Sequence, residues 1–333
     1  MARAAVLGTG SWGTAYAAIL ADAGQDVCLW SRRDEVAEEI RTTHTNSGYL
    51  PELVLPDNVT ATSDPEQALE GAEIVVLSVP SQSLRDNLEQ WGSAIPEDAA
   101  VVSLMKGVEL GTTSRMSEVI SEAGKVDPDR VVIVSGPNFA KEIAAKQPAA
   151  SVVASSSPRM RARVAEASAA PYFRPYLGGD VVGTEIAGAV KNVIALAVGM
   201  ASGMGMGDST MASLLTRGLA ETARIGAALG ANPQTFLGLA GVGDLVATCN
   251  SPLSRNRTFG YKLGTGMTLD EVVAATKQTT EGVKSCESIL QLARSVDVDV
   301  PIVENVAAVV HEGRKPADVV EALMSRARKH ETH

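Results

Sequence analysis

The sequence is poor in the residues that build disulfide frameworks and metal sites. Its three cysteines, Cys28, Cys249 and Cys286, are far apart and form no C-x-x-C pair, so we expect ordinary reduced residues of a cytoplasmic protein. Only four histidines are present, and none belongs to an H-E-x-x-H motif or a carboxylate–histidine cluster. No metal cofactor is therefore expected. A histidine acid–base pair is equally hard to assemble, which makes lysine the better candidate for proton transfer.

Positive charge and long apolar runs are also scarce. The 29 Lys and Arg residues face 39 Asp and Glu residues, and the net charge of −10 argues against nucleic-acid or anionic-membrane partners. The most apolar run, residues 193–206, is interrupted by glycines and is too short to span a bilayer, so we interpret it as a buried helix. The first strand leaves no room for a signal peptide. With 333 residues, the chain is long enough for two soluble domains.

A glycine-rich loop lies between a short apolar strand, residues 4–7, and a good helix former, residues 15–21. The loop reads G-x-G-x-x-G: Gly8 allows a tight turn, Gly10 lets backbone N–H groups approach a pyrophosphate, and Gly13 lets the helix pack on the strand. The helix N-terminus adds further donors and a partial positive charge. A second strand follows at the spacing of a βαβ unit, so the pattern predicts dinucleotide binding.

The end of that second strand, residues 26–30, indicates which dinucleotide is preferred. It leads into Ser31-Arg32-Arg33, and the first acidic residue, Asp34, comes only afterwards. An acidic residue at this place usually binds the ribose hydroxyls of NAD, whereas arginine accommodates the 2′-phosphate of NADP. We therefore predict NADPH/NADP as the preferred cofactor, with NADH/NAD possible. The alternative is that both arginines merely cap or solvate the next helix.

Short apolar segments alternate with helical patterns up to residue 182, at residues 59–62, 74–78, 101–104, 131–135 and 151–154. This predicts an α/β fold with an N-terminal Rossmann-like, doubly wound, mostly parallel sheet. The remaining chain shows helical periodicity, at residues 184–201, 209–229, 255–263, 269–276, 283–294, 302–311 and 317–327. We predict a dinucleotide-binding domain over residues 1–182 and an all-helical substrate and catalytic domain over residues 183–333, with the active site between them.

Lys191 is the leading candidate for proton transfer. It lies among small and apolar residues on the helix that opens the second domain, where burial should lower its pKa. Such a lysine suits a general acid for a carbonyl and a general base for an alcohol. The alternative is a lysine that extends out of an amphipathic helix into water.

A second cationic cluster, residues 254–257, begins another helix and could bind a phosphate group or be a solvated cap. Residues 241–244 could be a plain turn with Asp244 as an N-cap, and Lys106 could be ordinary surface charge.

Six motifs in order nevertheless resemble those of the bacterial NAD(P)-dependent sn-glycerol-3-phosphate dehydrogenases, over nearly the whole chain. They are Gly8-x-Gly10-Ser11-Trp12-Gly13-Thr14-Ala15, Met105-Lys106-Gly107, Ser135-Gly136-Pro137-Asn138-Phe139-Ala140, Val190-Lys191-Asn192, Gly241-x-Gly243-Asp244-Leu245 and Ser254-Arg255-Asn256. The resemblance implies reversible NAD(P)H-dependent reduction of dihydroxyacetone phosphate to sn-glycerol 3-phosphate, with Lys191 as general acid and base. It also implies a cytoplasmic homodimer that supplies phospholipid synthesis.

The resemblance further implies roles for individual residues. Gly8, Gly10 and Gly13 of the loop would contact the cofactor. The further cofactor contacts would be Ser11, Trp12, Arg32, Arg33, Tyr49, Lys106, Ala140, Arg255, Thr279 and Glu281. Substrate contacts would be made by Lys106, Gly136, Asn138, Lys191, Asp244, Ser254, Arg255 and Asn256. The family often has a small hydroxyl residue where Asn138 stands, so contact geometry there should differ. Two alternatives stay open: a β-hydroxyacid or phosphogluconate dehydrogenase, which also uses a helical lysine, and a non-enzymatic module that senses NADPH.

Overall fold

The first half of the chain forms one twisted sheet of eight strands. The computed structural model describes residues 2–276 and 280–326. The strands are β1 (Arg3–Leu7), β2 (Asp26–Trp30), β3 (Thr45–Asn46), β4 (Leu50–Val54), β5 (Val59–Thr62), β6 (Ile74–Leu77), β7 (Ala100–Ser103), β8 (Val131–Ser135), β9 (Ala149–Ala154) and β10 (Phe173–Gly178). The sheet runs in the order β10-β9-β8-β7-β6-β1-β2-β5, and a separate hairpin is formed by β3 and β4.

The sheet is parallel apart from the antiparallel pair β8–β9, which confirms the predicted mostly parallel, doubly wound architecture. The turn between β1 and the next helix lies beside the end of β6, where the strand order reverses and ligands bind in such folds. Two features were not predicted, the β3–β4 hairpin and β10. The edge strand β10 carries Pro175 and the exposed side chains of Tyr176 and Leu177, so it lacks the continuous apolar run of a central strand.

Helices cover both faces of the sheet and create two cores. Alternate residues of β1 point to opposite faces: Ala4 and Val6 share a core with α1 (Ser11–Asp22), whereas Ala5 and Leu7 share the opposite core with α3 (Pro65–Leu69), α4 (Leu84–Trp91) and α5 (Met116–Ala123). This alternation is why every position of the strand after the exposed Arg3 is buried. The helices of this half are α1 (Ser11–Asp22), α2 (Asp34–Thr43), α3 (Pro65–Leu69), α4 (Leu84–Trp91), α5 (Met116–Ala123), α6 (Ala140–Ala144) and α7 (Pro158–Ala167).

The second half is helical, with a third core of its own. Each of the seven predicted helices is found, with described ends within three residues of the prediction; residue 327, the predicted end of the last, lies outside the described residues. An eighth helix of the described residues, α10 (Asp244–Asn250), was not predicted. The helices are α8 (Val181–Gly203), α9 (Asp208–Ala228), α10 (Asp244–Asn250), α11 (Arg255–Gly264), α12 (Leu269–Ala274), α13 (Glu281–Ser295), α14 (Pro301–Glu312) and α15 (Pro316–Met324).

Helix α8 is the central element of this half. By length and composition it could cross a membrane, but 83% of its apolar 18-residue stretch is buried inside the protein, as expected of a core helix. Glycines on both helices bring α8 unusually close to α11 (Arg255–Gly264): a Cβ on Gly199 of α8 would lie 2.1 Å from the carbonyl oxygen of Arg257, and one on Gly260 of α11 would lie 2.2 Å from that of Leu196. The contact leaves room for glycine alone, and it fixes the start of α11 beside the middle of α8.

Candidate active site

The glycine loop has the geometry that its three glycines predict. Gly8 has φ +125°, and a Cβ there would lie 2.4 Å from the carbonyl oxygen of Ser78. A Cβ on Gly13 would lie 2.2 Å from the carbonyl oxygen of Gly8, so the helix packs directly on the turn. A Cβ on Gly10, by contrast, would have no neighbour within 4 Å among the described residues. Of the three glycines, Gly10 therefore faces space that the described residues leave open, which is what the passage of a pyrophosphate requires.

Helix α1 begins beside that open space. Its N-cap residue, Gly10, makes no side-chain cap hydrogen bond, and its first turn contains no acidic side chain. The N–H groups of the first turn and the positive end of the helix dipole thus favour an anion at this place. The described residues of the loop fit the pyrophosphate of a dinucleotide.

Three predicted cofactor residues contact one another at the side of this loop. The Ser11 hydroxyl donates to the carbonyl oxygen of Tyr49 at 3.3 Å, and the guanidinium of Arg33 lies 5.9 Å from the centre of the Tyr49 ring. Arg32 and Arg33 are both exposed. Arg33 also occupies the N-cap position of α2, but its side chain makes no cap hydrogen bond. The pair is therefore accessible to a ligand at the end of β2.

Two lysines from different halves of the chain share one buried carboxylate. Lys191 Nζ, in the middle of α8, donates to Asp244 Oδ1 at 2.7 Å and to Thr248 Oγ1 at 2.7 Å. Lys106 Nζ, in the loop after β7, donates to Asp244 Oδ2 at 2.6 Å and to the carbonyl oxygen of Gly136 at 3.2 Å. Four of the predicted substrate residues thus form one hydrogen-bonded cluster at the carboxyl edge of the sheet.

The electrostatics of this cluster favour proton transfer by Lys191. Burial lowers the pKa of Lys191 to about 8, with Asp244 opposing the shift and the charge of Lys106 adding to it. Burial also works against the ionised form of Asp244, but the two ammonium groups outweigh it and hold the pKa of Asp244 below its ordinary value. Lys191 is only 8% exposed, so the alternative of a lysine extending into water is wrong.

The start of α11 is held beside this cluster. Asn256 Nδ2 donates to Asn192 Oδ1 at 2.9 Å, and Asn256 Oδ1 accepts from the backbone N–H of Gly282 at 2.9 Å. The Ser254 hydroxyl accepts from the backbone N–H of Arg257 at 3.2 Å and is the N-cap of the helix. The side chain of Arg255 is exposed at this helix start.

The remaining predicted contacts lie along the same sheet edge. Asn138 Nδ2 donates to Ser151 Oγ, and within the described residues Asn138 Oδ1 is buried without a partner. Ala140 opens α6. Glu281 Oε2 accepts from the Ser81 hydroxyl at 2.8 Å, which joins α13 to the turn after β6. Thr279 lies outside the described residues.

Sequence reasoning missed three residues that complete these contacts: Thr248, Asn192 and Ser81. Thr248 stands one helical turn after Asp244, a spacing that would have indicated it had α10 been predicted. Asn192 follows Lys191 directly and holds Asn256. Ser81 belongs to a turn at the carboxyl edge of the sheet, where polar residues are candidates for ligand contact or support.

Comparison with known proteins agrees with this geometry. Residues 3–161 match the family model described as the N-terminus of NAD-dependent glycerol-3-phosphate dehydrogenase, and residues 180–321 match the model of its C-terminus. The chain belongs to the NAD-dependent glycerol-3-phosphate dehydrogenase family. The resemblance inferred from the six motifs is thereby confirmed.

Relatives of this glycerol-3-phosphate dehydrogenase family match the chain from end to end. A glycerol-3-phosphate dehydrogenase (NAD(P)+) of Streptomyces griseus is 62% identical over 99% of this chain and 98% of its own. One from Thermobifida fusca is 55% identical over 100% of this chain and 99% of its own. The crystal structure of the glycerol-3-phosphate dehydrogenase of Coxiella burnetii superimposes with a TM-score of 0.92 at 34% identity, covering 98% and 99% of the two chains. These matches support glycerol-3-phosphate dehydrogenase over the β-hydroxyacid and phosphogluconate alternatives.

Proposed function

We propose that this protein catalyses the reversible NAD(P)H-dependent reduction of dihydroxyacetone phosphate to sn-glycerol 3-phosphate. The observation that carries the proposal is the buried cluster of Lys191, Asp244 and Lys106 at the same sheet edge as an open glycine loop, in a chain of this family. A module that only senses a nucleotide has no need of a buried proton donor. The product would supply the backbone of glycerophospholipids.

Lys191 is the proposed general acid. The bound cofactor supplies the hydride for the carbonyl carbon, and Lys191 Nζ gives its proton to the carbonyl oxygen as negative charge develops there. Asp244 orients Lys191, and the charge of Lys106 favours the oxyanion. In the reverse direction Lys191 takes the proton of the alcohol. A pKa of about 8 lets one group perform both steps near neutral pH.

The proposed phosphate contacts lie at the start of α11. Arg255 offers a bidentate guanidinium, and the helix N-terminus adds backbone donors and partial positive charge. Ser254 and Asn256 flank it, although the Ser254 hydroxyl already caps the helix and Asn256 already bonds two neighbours. We propose that Arg255 contributes most of the phosphate recognition, because its guanidinium carries a full positive charge, with Gly136 and Asn138 lining the other side of the substrate.

We propose NADPH as the preferred cofactor. Arg32 and Arg33 are exposed at the end of β2 and no acidic residue precedes them, so a 2′-phosphate would lie beside two cations. Arg33 and Tyr49 would also bound the adenosine. The remaining contacts proposed for the cofactor are those of Ser11, Trp12, Lys106, Ala140, Arg255, Thr279 and Glu281.

The domain boundaries and the assembly are also proposals, supported by the position of the site and by the family. Residues 1–182 would be the dinucleotide-binding domain and residues 183–333 the substrate and catalytic domain, with the site in the cleft. The helix that opens the second domain begins two residues earlier, at Val181. A cytoplasmic homodimer would follow the family, and size measurement by light scattering would test that assembly.

Oxidation of NADPH and of NADH, followed spectrophotometrically with dihydroxyacetone phosphate, tests the activity. We expect turnover with both cofactors and a higher kcat/KM with NADPH. Dihydroxyacetone without phosphate is the matched control and should react far more slowly, because its binding lacks the charge-assisted phosphate contacts. Absence of turnover with dihydroxyacetone phosphate in an enzyme that binds NADPH would contradict the proposal.

A further inference from the structure

Asn46 lies at the buried junction between the β3–β4 hairpin and the glycine loop. Its carboxamide Nδ2 donates to the carbonyl oxygen of Thr9 at 2.8 Å and to Thr14 Oγ1 at 2.8 Å. Only 1% of its surface is exposed. Thr9 is a residue of the glycine loop, and Thr14 belongs to the first turn of α1. One side chain thus fixes the loop to the helix that follows it.

The same network reaches the end of β2. The Thr9 hydroxyl donates to Ser31 Oγ at 3.1 Å, and the backbone N–H of Arg33 donates to the same Ser31 Oγ at 3.3 Å. Three residues after Asn46, the Tyr49 carbonyl accepts from Ser11, and the Tyr49 ring faces Arg33. The segment that starts with Asn46 therefore contacts both the phosphate end and the ribose end of the proposed cofactor site.

We propose that Asn46 is a positioning residue for the dinucleotide. It holds the backbone at Thr9 and Gly10 in the conformation that accepts the pyrophosphate, and it fixes the positions of Tyr49 and Arg33 relative to that loop. Asn46 does not touch the reacting atoms. The inference rests on the proposed function, since it assigns a device to the same cofactor site.

The physical reason is the freedom that glycine gives the loop. Gly8 and Gly10 have access to many backbone conformations. The population of every conformation that cannot bind the pyrophosphate lowers the apparent affinity for the dinucleotide. Two buried hydrogen bonds from one side chain reduce that freedom before the ligand arrives. Removing them should leave the fold intact but lower the fraction of loops that are ready to bind.

Asn46→Ala is the test. We expect the Kd of NADPH and of NADH, measured by fluorescence titration, to rise about tenfold, as expected when one to two buried hydrogen bonds are lost. At saturating cofactor, kcat and the KM for dihydroxyacetone phosphate should stay close to those of the unaltered enzyme. Without any cofactor, amide hydrogen exchange should become faster at residues 9–14. This readout does not depend on activity.

Asn58→Ala is the matched control. Asn58 Nδ2 also donates to two carbonyl oxygens, those of Ala21 at 3.0 Å and Gln25 at 2.7 Å, but at the far end of α1. We expect a comparable loss of stability and no change in either Kd. Should Asn46→Ala fail to fold, Thr14→Val removes one acceptor at nearly constant volume, and it should raise both Kd values about threefold.

Two outcomes would overturn the inference: unchanged Kd values in Asn46→Ala, or an equal rise in Asn58→Ala. If the unaltered protein bound neither dinucleotide, the proposed function itself would fail. The titration of the unaltered protein therefore separates the two failures.

Discussion

Lys191 has lost nearly all contact with water, and the carboxylate of Asp244 that it contacts is shared with a second cation, Lys106. This is why its pKa falls to about 8, although it forms an ion pair with Asp244 at 2.7 Å. If Lys191 gave up its proton, Asp244 would still be paired with Lys106, so no isolated buried charge would remain. The two-lysine arrangement therefore makes a neutral Lys191 accessible without leaving a carboxylate unpaired.

Lys191→Ala should lower kcat by about 10²- to 10⁴-fold, as expected for the loss of a general acid, while NADPH binding survives. Lys191→Arg keeps a cation that cannot give up its proton near neutral pH, so it should be nearly as inactive. Steady-state kinetics on both variants is the measurement. An active arginine variant would mean that charge, and not proton transfer, is what Lys191 supplies.

The pKa of Lys191 also sets the pH dependence. Reduction requires the protonated amine, so its kcat should fall as pH rises through about 8. Oxidation of sn-glycerol 3-phosphate requires the neutral amine and should become faster over the same range. Opposite pH profiles for the two directions are the expected result. Profiles of the same sign in both directions would assign the titration to another group.

Arg255→Ala should reduce kcat/KM for dihydroxyacetone phosphate at least about tenfold, because a charge-assisted contact is lost in the ground state and in the transition state. The value for unphosphorylated dihydroxyacetone should change little. Arg257→Ala removes the same charge from the same helix and serves as the control. Equal losses with both substrates would place phosphate recognition at other residues.

At the scale of elements, periodicity predicted the long helices and the central strands, since each has a continuous buried face. It failed where glycine or proline adjoins or interrupts an element, as in α10, β10 and the β3–β4 hairpin. Helix α10 has seven residues and follows a glycine-rich turn, so the residue pattern left a plain turn with Asp244 as an N-cap open, and only the family resemblance indicated that Asp244 belongs to the site where it pairs with both lysines. The residues of the site could be predicted as a set of motifs. The hydrogen bonds of Thr248, Asn192 and Ser81 could not, because these residues acquire their contacts only when distant segments pack together.

Helix α14 illustrates an element held by a distant side chain. Its first N–H groups, those of Ile302 and Val303, donate to the buried carboxylate of Glu221 on α9, at 2.8 and 3.2 Å. Burial raises the pKa of Glu221 to about 7, although these hydrogen bonds and Arg224 oppose the shift. The folded protein therefore retains this proton to a higher pH than the unfolded chain does.

The free energy of unfolding should consequently fall as pH rises from about 4.5 to about 7, by on the order of 2 kcal/mol from this group. Glu221→Gln keeps an acceptor for the helix and removes the titration, so its stability should depend less on pH over that window. Glu221→Ala loses the cap as well as the titration, so it should cost about 1–2 kcal/mol near pH 4.5 and less as pH rises towards 7. Denaturant unfolding at several pH values measures all three proteins. An unchanged pH dependence in Glu221→Gln would show that Glu221 is already ionised in the folded protein at low pH.

At the scale of the whole molecule, the two halves are joined by polar contacts as well as by the site itself. Glu185 on α8 accepts from the backbone N–H of Ser117 at 2.7 Å, from its hydroxyl at 2.6 Å, and from Arg115 at 2.7 Å. All three donors belong to the first half of the chain. Because Glu185 is buried and Arg115 nearly so, water cannot replace the lost hydrogen bonds when one of the two partners is removed.

Glu185→Gln should therefore lower the free energy of unfolding by about 2–3 kcal/mol, since an amide N–H₂ would face donors that need an acceptor. Glu118 offers the matched control. It pairs with the same Arg115 at 2.6 Å, but its side chain is 44% exposed, so Glu118→Gln should cost less than about 1 kcal/mol. Denaturant unfolding compares the two variants, and titration with NADPH checks that the cofactor site is intact. If the two losses were equal, the strength of the junction would lie in the charge of Arg115 rather than in the buried contact between the halves. A larger loss in Glu185→Gln, with NADPH affinity retained, is the result expected of a junction that stabilises the molecule without belonging to its cofactor site.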